Sequence, residues 1–132
     1  MKRVLLAFVA LPLMAHAATW TPVGSGVSSE RSGKAFIDRS SVTKAEGGYK
    51  AWSLVSYPRG RQTEDGTPYR SLRQLHIFAC GERSAILLDQ VFYGQAMAGG
   101  PVVQTFKYEQ FSPAAVAPGS AEALALEAVC RK

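Results

Sequence analysis

The opening segment Met1–Ala17, MKRVLLAFVALPLMAHA, sets both how much of this chain folds and in what redox environment. Lys2 and Arg3 precede an uncharged apolar run from Val4 to Met14, and Ala15-His16-Ala17 puts small residues just ahead of a cut. That is the pattern of a secretory signal peptide. A spanning helix needs about 20 apolar residues. The run is therefore expected to be removed rather than kept as a membrane anchor or a short buried helix. The expectation is a signal over residues 1–17 and one domain over residues 18–132. About 115 residues support a single core and are too few for two domains. Such a domain works outside the cytoplasm. A soluble periplasmic location is the first expectation, with secretion or display at the cell surface as alternatives.

Export gives the two cysteines their meaning. Cys80 and Cys130 are the whole complement, and an even count in an oxidising compartment favours one intramolecular disulfide. Closing a loop of about fifty residues stabilises a fold by roughly 4 kcal/mol in the chain-entropy picture. A redox-active pair is the competing reading, but it calls for close spacing and a lowered thiol pKa, and this separation supports neither.

Strand signals dominate the chain. Thr19 to Val23 is β-prone and is broken by Gly24-Ser25-Gly26, and Lys34 to Asp38 follows as a second short strand. Asp38-Arg39-Ser40-Ser41 favours a turn through local side-chain bonds. Glu46-Gly47-Gly48 turns the chain into Tyr49–Tyr57, a run rich in aromatic and branched residues. Pro58 to Pro68 has no apolar residue between its prolines and is expected to be a long surface loop. Tyr69–Cys80 and Ser84–Tyr93 then read as a hairpin, Gly94–Pro101 as a connection and Val102–Phe111 as one more strand. Near the end, Ser120 is placed to cap a helix over Ala121–Cys130, with Glu122 in its first turn. Ala123, Leu126 and Cys130 share one face of that helix. The bridge would then join a central strand end to the inner face of a C-terminal helix. The class is α+β: an antiparallel sheet with one α-helix packed on a face.

Catalytic groups are scarce. His76 is the sole histidine beyond the signal, and it falls mid-strand, where a half-exposed sheet position is expected. No nucleophile elbow accompanies it. One histidine and two bridged cysteines leave too few zinc ligands, and Glu64-Asp65-Gly66 lacks the spacing of a calcium loop. Gly24-Ser25-Gly26 has no third glycine and no following helix. The expectation is a non-enzymatic protein with no metal and no cofactor.

Binding is better supplied. Arg59, Arg61, Arg70 and Arg73 fall within fifteen residues on and beside the long loop, whose two ends are flanked by Tyr57 and Tyr69. Arginine forks beside aromatic rings suit carboxylate, sulfate or phosphate groups on a protein or polyanion. The alternative is a solvated hairpin whose arginines pair with Glu64 and Asp65. Removing Lys2 and Arg3 lowers the formal net charge from +5 to about +3. That is mildly basic but no nucleic-acid footprint, and export makes nucleic acid a poor partner.

Several segments in order resemble the surface-adhesin protein E-like domains of Gram-negative bacteria. They are Trp20-x-x-Val23-Gly24, Phe36-Ile37-Asp38-x-Ser40-Ser41, Tyr49-Lys50-Ala51-Trp52-x-Leu54, Tyr69-Arg70-Ser71 leading to Phe78-x-Cys80, and Pro118-Gly119-Ser120 with Glu122-x-Leu124 and Val129-Cys130. The resemblance implies a six-stranded antiparallel sheet with its helix held on by the disulfide. It also implies that Trp20, Phe36, Trp52 and Tyr69 are core or sheet residues. The family's name comes from members that bind host matrix and plasma proteins, so the resemblance implies an adhesin-like binding function. Those members carry a cysteine directly after the signal, whereas here Ala18-Thr19-Trp20 follows. A soluble periplasmic accessory protein that holds a small ligand, or pairs with a copy of itself as a homodimer, is the alternative.

Overall fold

Two long strands, β4 (Gly48–Gln62) and β5 (Pro68–Ala79), form the centre of the molecule. The computed structural model describes residues 18–25, 33–109 and 112–131. The expected signal at residues 1–17 lies outside them, and the strand expected over Val102–Phe111 stops at Lys107, with Tyr108 and Glu109 past its end and 110–111 outside the described residues. Around the central pair lie β1 (Trp20–Ser25), β2 (Lys34–Asp38), β3 (Thr43–Ala45), β6 (Ser84–Tyr93), β7 (Val102–Lys107) and β8 (Ala114–Ala115). One helix, α1 (Ala121–Cys130), closes the described chain. The sheet runs β1-β2-β4-β5-β6-β7, with β3 pairing β4 and β8 pairing β6. Every pairing is antiparallel. The main path thus has the expected six strands, and the short β3 and β8 fill out its edges. β1 also runs through Gly24 to Ser25 rather than stopping before them.

Local chemistry accounts for the junctions. At the end of β2, Asp38 Oδ1 accepts from the Ser40 amide at 3.1 Å, making a single 3₁₀ turn over Arg39–Ser41. Ser41 Oγ donates to the Asp38 carbonyl and accepts from the Trp52 amide at 2.9 Å, tying that turn to β4. Gly48 must be glycine, because a Cβ there would stand 1.9 Å from the Phe78 carbonyl oxygen.

The hairpin joining β4 and β5 departs from expectation. Pro58–Pro68 is not a long loop: β4 continues through Gln62, β5 begins at Pro68, and the pairing Arg61↔Tyr69, Gln62↔Pro68 carries the ladder outward. Only Thr63–Thr67 turns. Thr63 and Thr67 close it through a backbone bond of 2.9 Å, and Gly66 takes φ +85°, a conformation costly for other residues. The segment is polar because most of it is exposed, not because it lacks strand structure.

Strand alternation divides the sheet into two faces. Ile37, Ala51, Phe78 and Ala85 lie on one and pack with Ala123, Ala125, Leu126 and Val129 of α1. Fully burying a Leu or Val side chain stabilises by about 1.5–3 kcal/mol. Ser120 caps the helix, its Oγ accepting from the Ala123 amide at 3.1 Å, and Glu122 sits in the first turn where the dipole favours it. The Cys80–Cys130 disulfide, Cα–Cα 5.7 Å, fixes the other end of α1 to the end of β5. A second cluster of Tyr69, Leu72 and Phe92 lies away from the helix.

On the opposite face the Gly94–Pro101 connection folds back over one end of the sheet. The Met97 amide donates to Ser56 Oγ at 3.1 Å and the Ala98 amide to Ser71 Oγ at 2.8 Å. Ser71 Oγ in turn donates to the Gln95 carbonyl at 2.6 Å, which explains why two serines are buried within strands.

Candidate functional site

The four arginines singled out in the sequence do not form one patch. Between Ser56↔Ser71 and Arg61↔Tyr69, residues Tyr57 to Gly60 of β4 face Arg70 alone, a wide bulge. Arg70 fills it: its Nε donates to the Tyr57 carbonyl at 3.2 Å and its Nη2 to the Pro58 carbonyl at 2.9 Å. Arg61 is half-buried with its guanidinium 4.6 Å from the centre of the Tyr57 ring. Arg59 is exposed on the bulge. Arg73 is separate, stacked 4.2 Å over Trp52 on the face away from α1, with its Nε buried and unpartnered. Arg59 and Arg61 therefore lie in a strand, contrary to the loop expectation. Among the described residues neither Glu64 nor Asp65 makes an ion pair with any of the four.

That leaves the face opposite α1 with an aromatic and cationic centre. Register places Phe36 beside Leu54, Leu54 beside Arg73, and Trp52 beside Leu75. Leu54 is fully buried, whereas Phe36, Trp52 and Arg73 are half-buried. Lys34 and Lys50 are exposed on the same strands.

The helix side is different. α1 packs on β1, β2 and β4 and only lightly on β5, so the β5–β6–β7 part of that face is open. Tyr57, Tyr69, Phe92 and Phe106 follow one another edge to face, with ring centres 5.9, 4.8 and 5.8 Å apart, and Tyr108 stacks on Phe106 at 6.3 Å. The β4–β5 turn overhangs this row and presents Asp65. Its carboxylate accepts from the Thr63 and Thr67 hydroxyls and from Gln104 Nε2 at 3.1 Å. Those donors, Thr63 first, hold the acid down at about 2. Tyr57 is pushed up to about 12, chiefly by burial and then by neighbouring Tyr69. Burial, then the Glu64 charge, raises Tyr108. This aromatic row was not legible in the sequence, because its members come from four strands, β4 to β7, and from Tyr108 just past β7.

His76 is not the half-exposed sheet residue expected. It is buried on the helix face, stacked near Phe78 at 5.1 Å, with Nε2 3.3 Å from Glu122 Oε1. Among the described residues no serine, cysteine or second histidine is bonded to it. The described residues hold no group of His, Cys, Asp and Glu able to bind a metal. No helix among them is long and apolar enough to cross a membrane.

A disulfide-tethered helix lies on one half of a single antiparallel sheet, with aromatic and basic side chains on the open surfaces, which makes this a small one-sheet α+β domain. The chain belongs to the surface-adhesin protein E family, whose profile matches residues 20–131. Among solved structures it is similar to Haemophilus influenzae protein E. The selenomethionine form aligns at TM-score 0.52 and 17% identity, covering 84% of each chain. A second crystal form aligns at TM-score 0.52 and 16% identity, covering 73% of this chain and 79% of that one. At such identity the likeness shows the fold. No curated protein sequence matches.

Proposed function

We propose that this chain is an exported, non-enzymatic binding domain that recognises a macromolecular partner in the manner of an adhesin. The observation that carries the reading is the Trp52–Arg73 stack on the face away from α1, with Phe36 on one side and exposed Lys34 and Lys50 around it. Tryptophan and arginine dominate the energetics of protein interfaces, and a guanidinium already stacked on an indole loses little freedom on binding. The family's name, surface adhesin, suggests a macromolecular partner, and the resemblance implies host matrix or plasma proteins as its class. Arg59 and Arg61 on the β4 extension add a second, salt-sensitive contact for acidic proteins or polyanions. The test is binding of the folded domain to immobilised matrix proteins, comparing Arg73→Ala and Trp52→Ala with Arg59→Ala/Arg61→Ala. Loss with the first two and an unchanged fold supports the sheet face, loss only with the arginine double variant moves the site to the hairpin, and binding by none of the proteins, wild type included, overturns the reading.

A second reading rests on the β5–β6–β7 part of the helix face, which α1 leaves open. It makes the chain a soluble periplasmic accessory protein that binds a small ligand or a copy of itself. Protease shaving of intact cells separates the two, since only a surface protein is degraded.

A further inference from the structure

The open half of the helix face carries an inference independent of the partner-binding surface. A groove of about 640 Å³ lies between the β4–β5 turn and the β6–β7 edge, within the size range of small-ligand sites. Its floor is Tyr69 and Phe92, both buried. Its outer wall is Phe106 and Tyr108, which remain 37% and 39% exposed. Phe106 lies on the edge strand β7 and Tyr108 just past it, and both rings keep an exposed side.

Charge sets the groove apart from the rest of the molecule. In a chain of net charge +5, its only charged lining residues are Glu64 and Asp65. Arg61, on the same β4 extension, is engaged on the Tyr57 ring. Lys107 falls between Phe106 and Tyr108 in sequence, and its partner across the ladder is Asp89. Two further contacts fix the walls: Tyr108 Oη donates to Gln90 Oε1 at 2.6 Å, and Gln104 Nε2 donates to Asp65 Oδ2. The groove is thus preorganised, aromatic and acidic.

Ring faces beside carboxylates attract a poorly hydrated cation, through the ring quadrupole and the added negative charge. A metal ion does not fit: Asp65 is already bound by internal donors, and no group of metal ligands exists among the described residues. A neutral sugar would leave the acidic edge without a role. From these observations we infer that the groove binds a small organic cation, an alkylated ammonium group of choline size, with Phe106 and Tyr108 against its methyl groups and Glu64 and Asp65 neutralising its charge.

The test is titration of the folded chain with choline, followed by ligand-observed NMR, beside the neutral isostere 3,3-dimethylbutan-1-ol and a neutral saccharide. The expected result is saturable choline binding, weakened about 2- to 30-fold by Phe106→Ala, the range spanned by one cation–ring contact. Glu64→Gln also weakens it, whereas Glu46→Gln, an exposed acid in the β3–β4 turn outside the groove, does not. The thermal midpoint of each variant shows that the fold persists. Equal binding of the isostere means an apolar groove without charge selection and overturns the inference. So does preference for the saccharide, or the absence of choline binding at millimolar concentration.

Discussion

His76 Nε2 lies 3.3 Å from Glu122 Oε1, joining the middle of β5 to the first turn of α1. The histidine side chain is 3% exposed and the carboxylate 37%. The contact fixes the N-terminal end of the helix on the sheet, while the Cys80–Cys130 bridge fixes the other end. Removing the carboxylate leaves a buried ring with neither nitrogen partnered, since Nδ1 has none already. An unsatisfied buried polar group costs about 1–3 kcal/mol. Glu122→Ala is therefore expected to lower the unfolding free energy by that order, read as a lower urea midpoint with an unchanged dependence on urea, and an unaltered midpoint would show that helix docking does not use this pair.

The bridge itself is the second prediction. The denatured protein, made by secretion and kept from reductant, should contain no titratable thiol, because both cysteines are joined. Cys130→Ser should lower the thermal midpoint by many degrees, since losing a native disulfide from a small secreted domain costs about 2–5 kcal/mol. Two reactive thiols in the wild-type protein would contradict the pairing.

Asp65 gives a prediction in pH. Its folded pKa, about 2, lies below the ordinary 3.8 because Thr63, Thr67 and Gln104 donate to the carboxylate. A depressed acid binds fewer protons folded than unfolded, so its stabilisation is complete above pH 3.8 and disappears as pH falls through about 2. Denaturant melts across that window should show wild type losing stability relative to Asp65→Asn, with their difference constant above it. Parallel curves throughout would mean that the turn does not hold the carboxylate in solution.

How much of this was legible follows from the range of the interactions. β2 and α1 were placed residue for residue, because their signals are local: a branched run ending at Asp38, and a serine cap before an alanine-rich stretch. The disulfide followed from count and compartment. The extension of β4 past Tyr57 was not legible, because exposed polar residues form strand or loop with equal ease, and the pairing with Pro68 and Tyr69 decides. His76 was placed on the right element but the wrong side of the surface. Alternation tells that it shares a face with Phe78, and only the docking of α1 makes that face interior. The arginines misled through spacing: proximity in sequence put Arg70 into a bulge, Arg73 onto an indole and Arg59 into solvent.

The last prediction concerns the two arginines on the β4 extension. Arg59 is exposed, so any attraction it adds to a polyanion is screened by salt. Arg61 also packs its guanidinium on the half-buried Tyr57 ring, a contact worth about 0.5–1 kcal/mol at a solvent-facing site. The two substitutions should consequently separate. Arg59→Ala is expected to elute from heparin at lower salt with an unchanged thermal midpoint. Arg61→Ala should do the same and also melt slightly earlier, because the ring loses its cover. Arg70→Ala is the contrasting case: its guanidinium bonds two carbonyls of the bulge, so stability should fall more than retention does. If wild type and Arg59→Ala elute together, both barely retained, the hairpin is a solvated extension of the sheet, and polyanion recognition by this edge is ruled out.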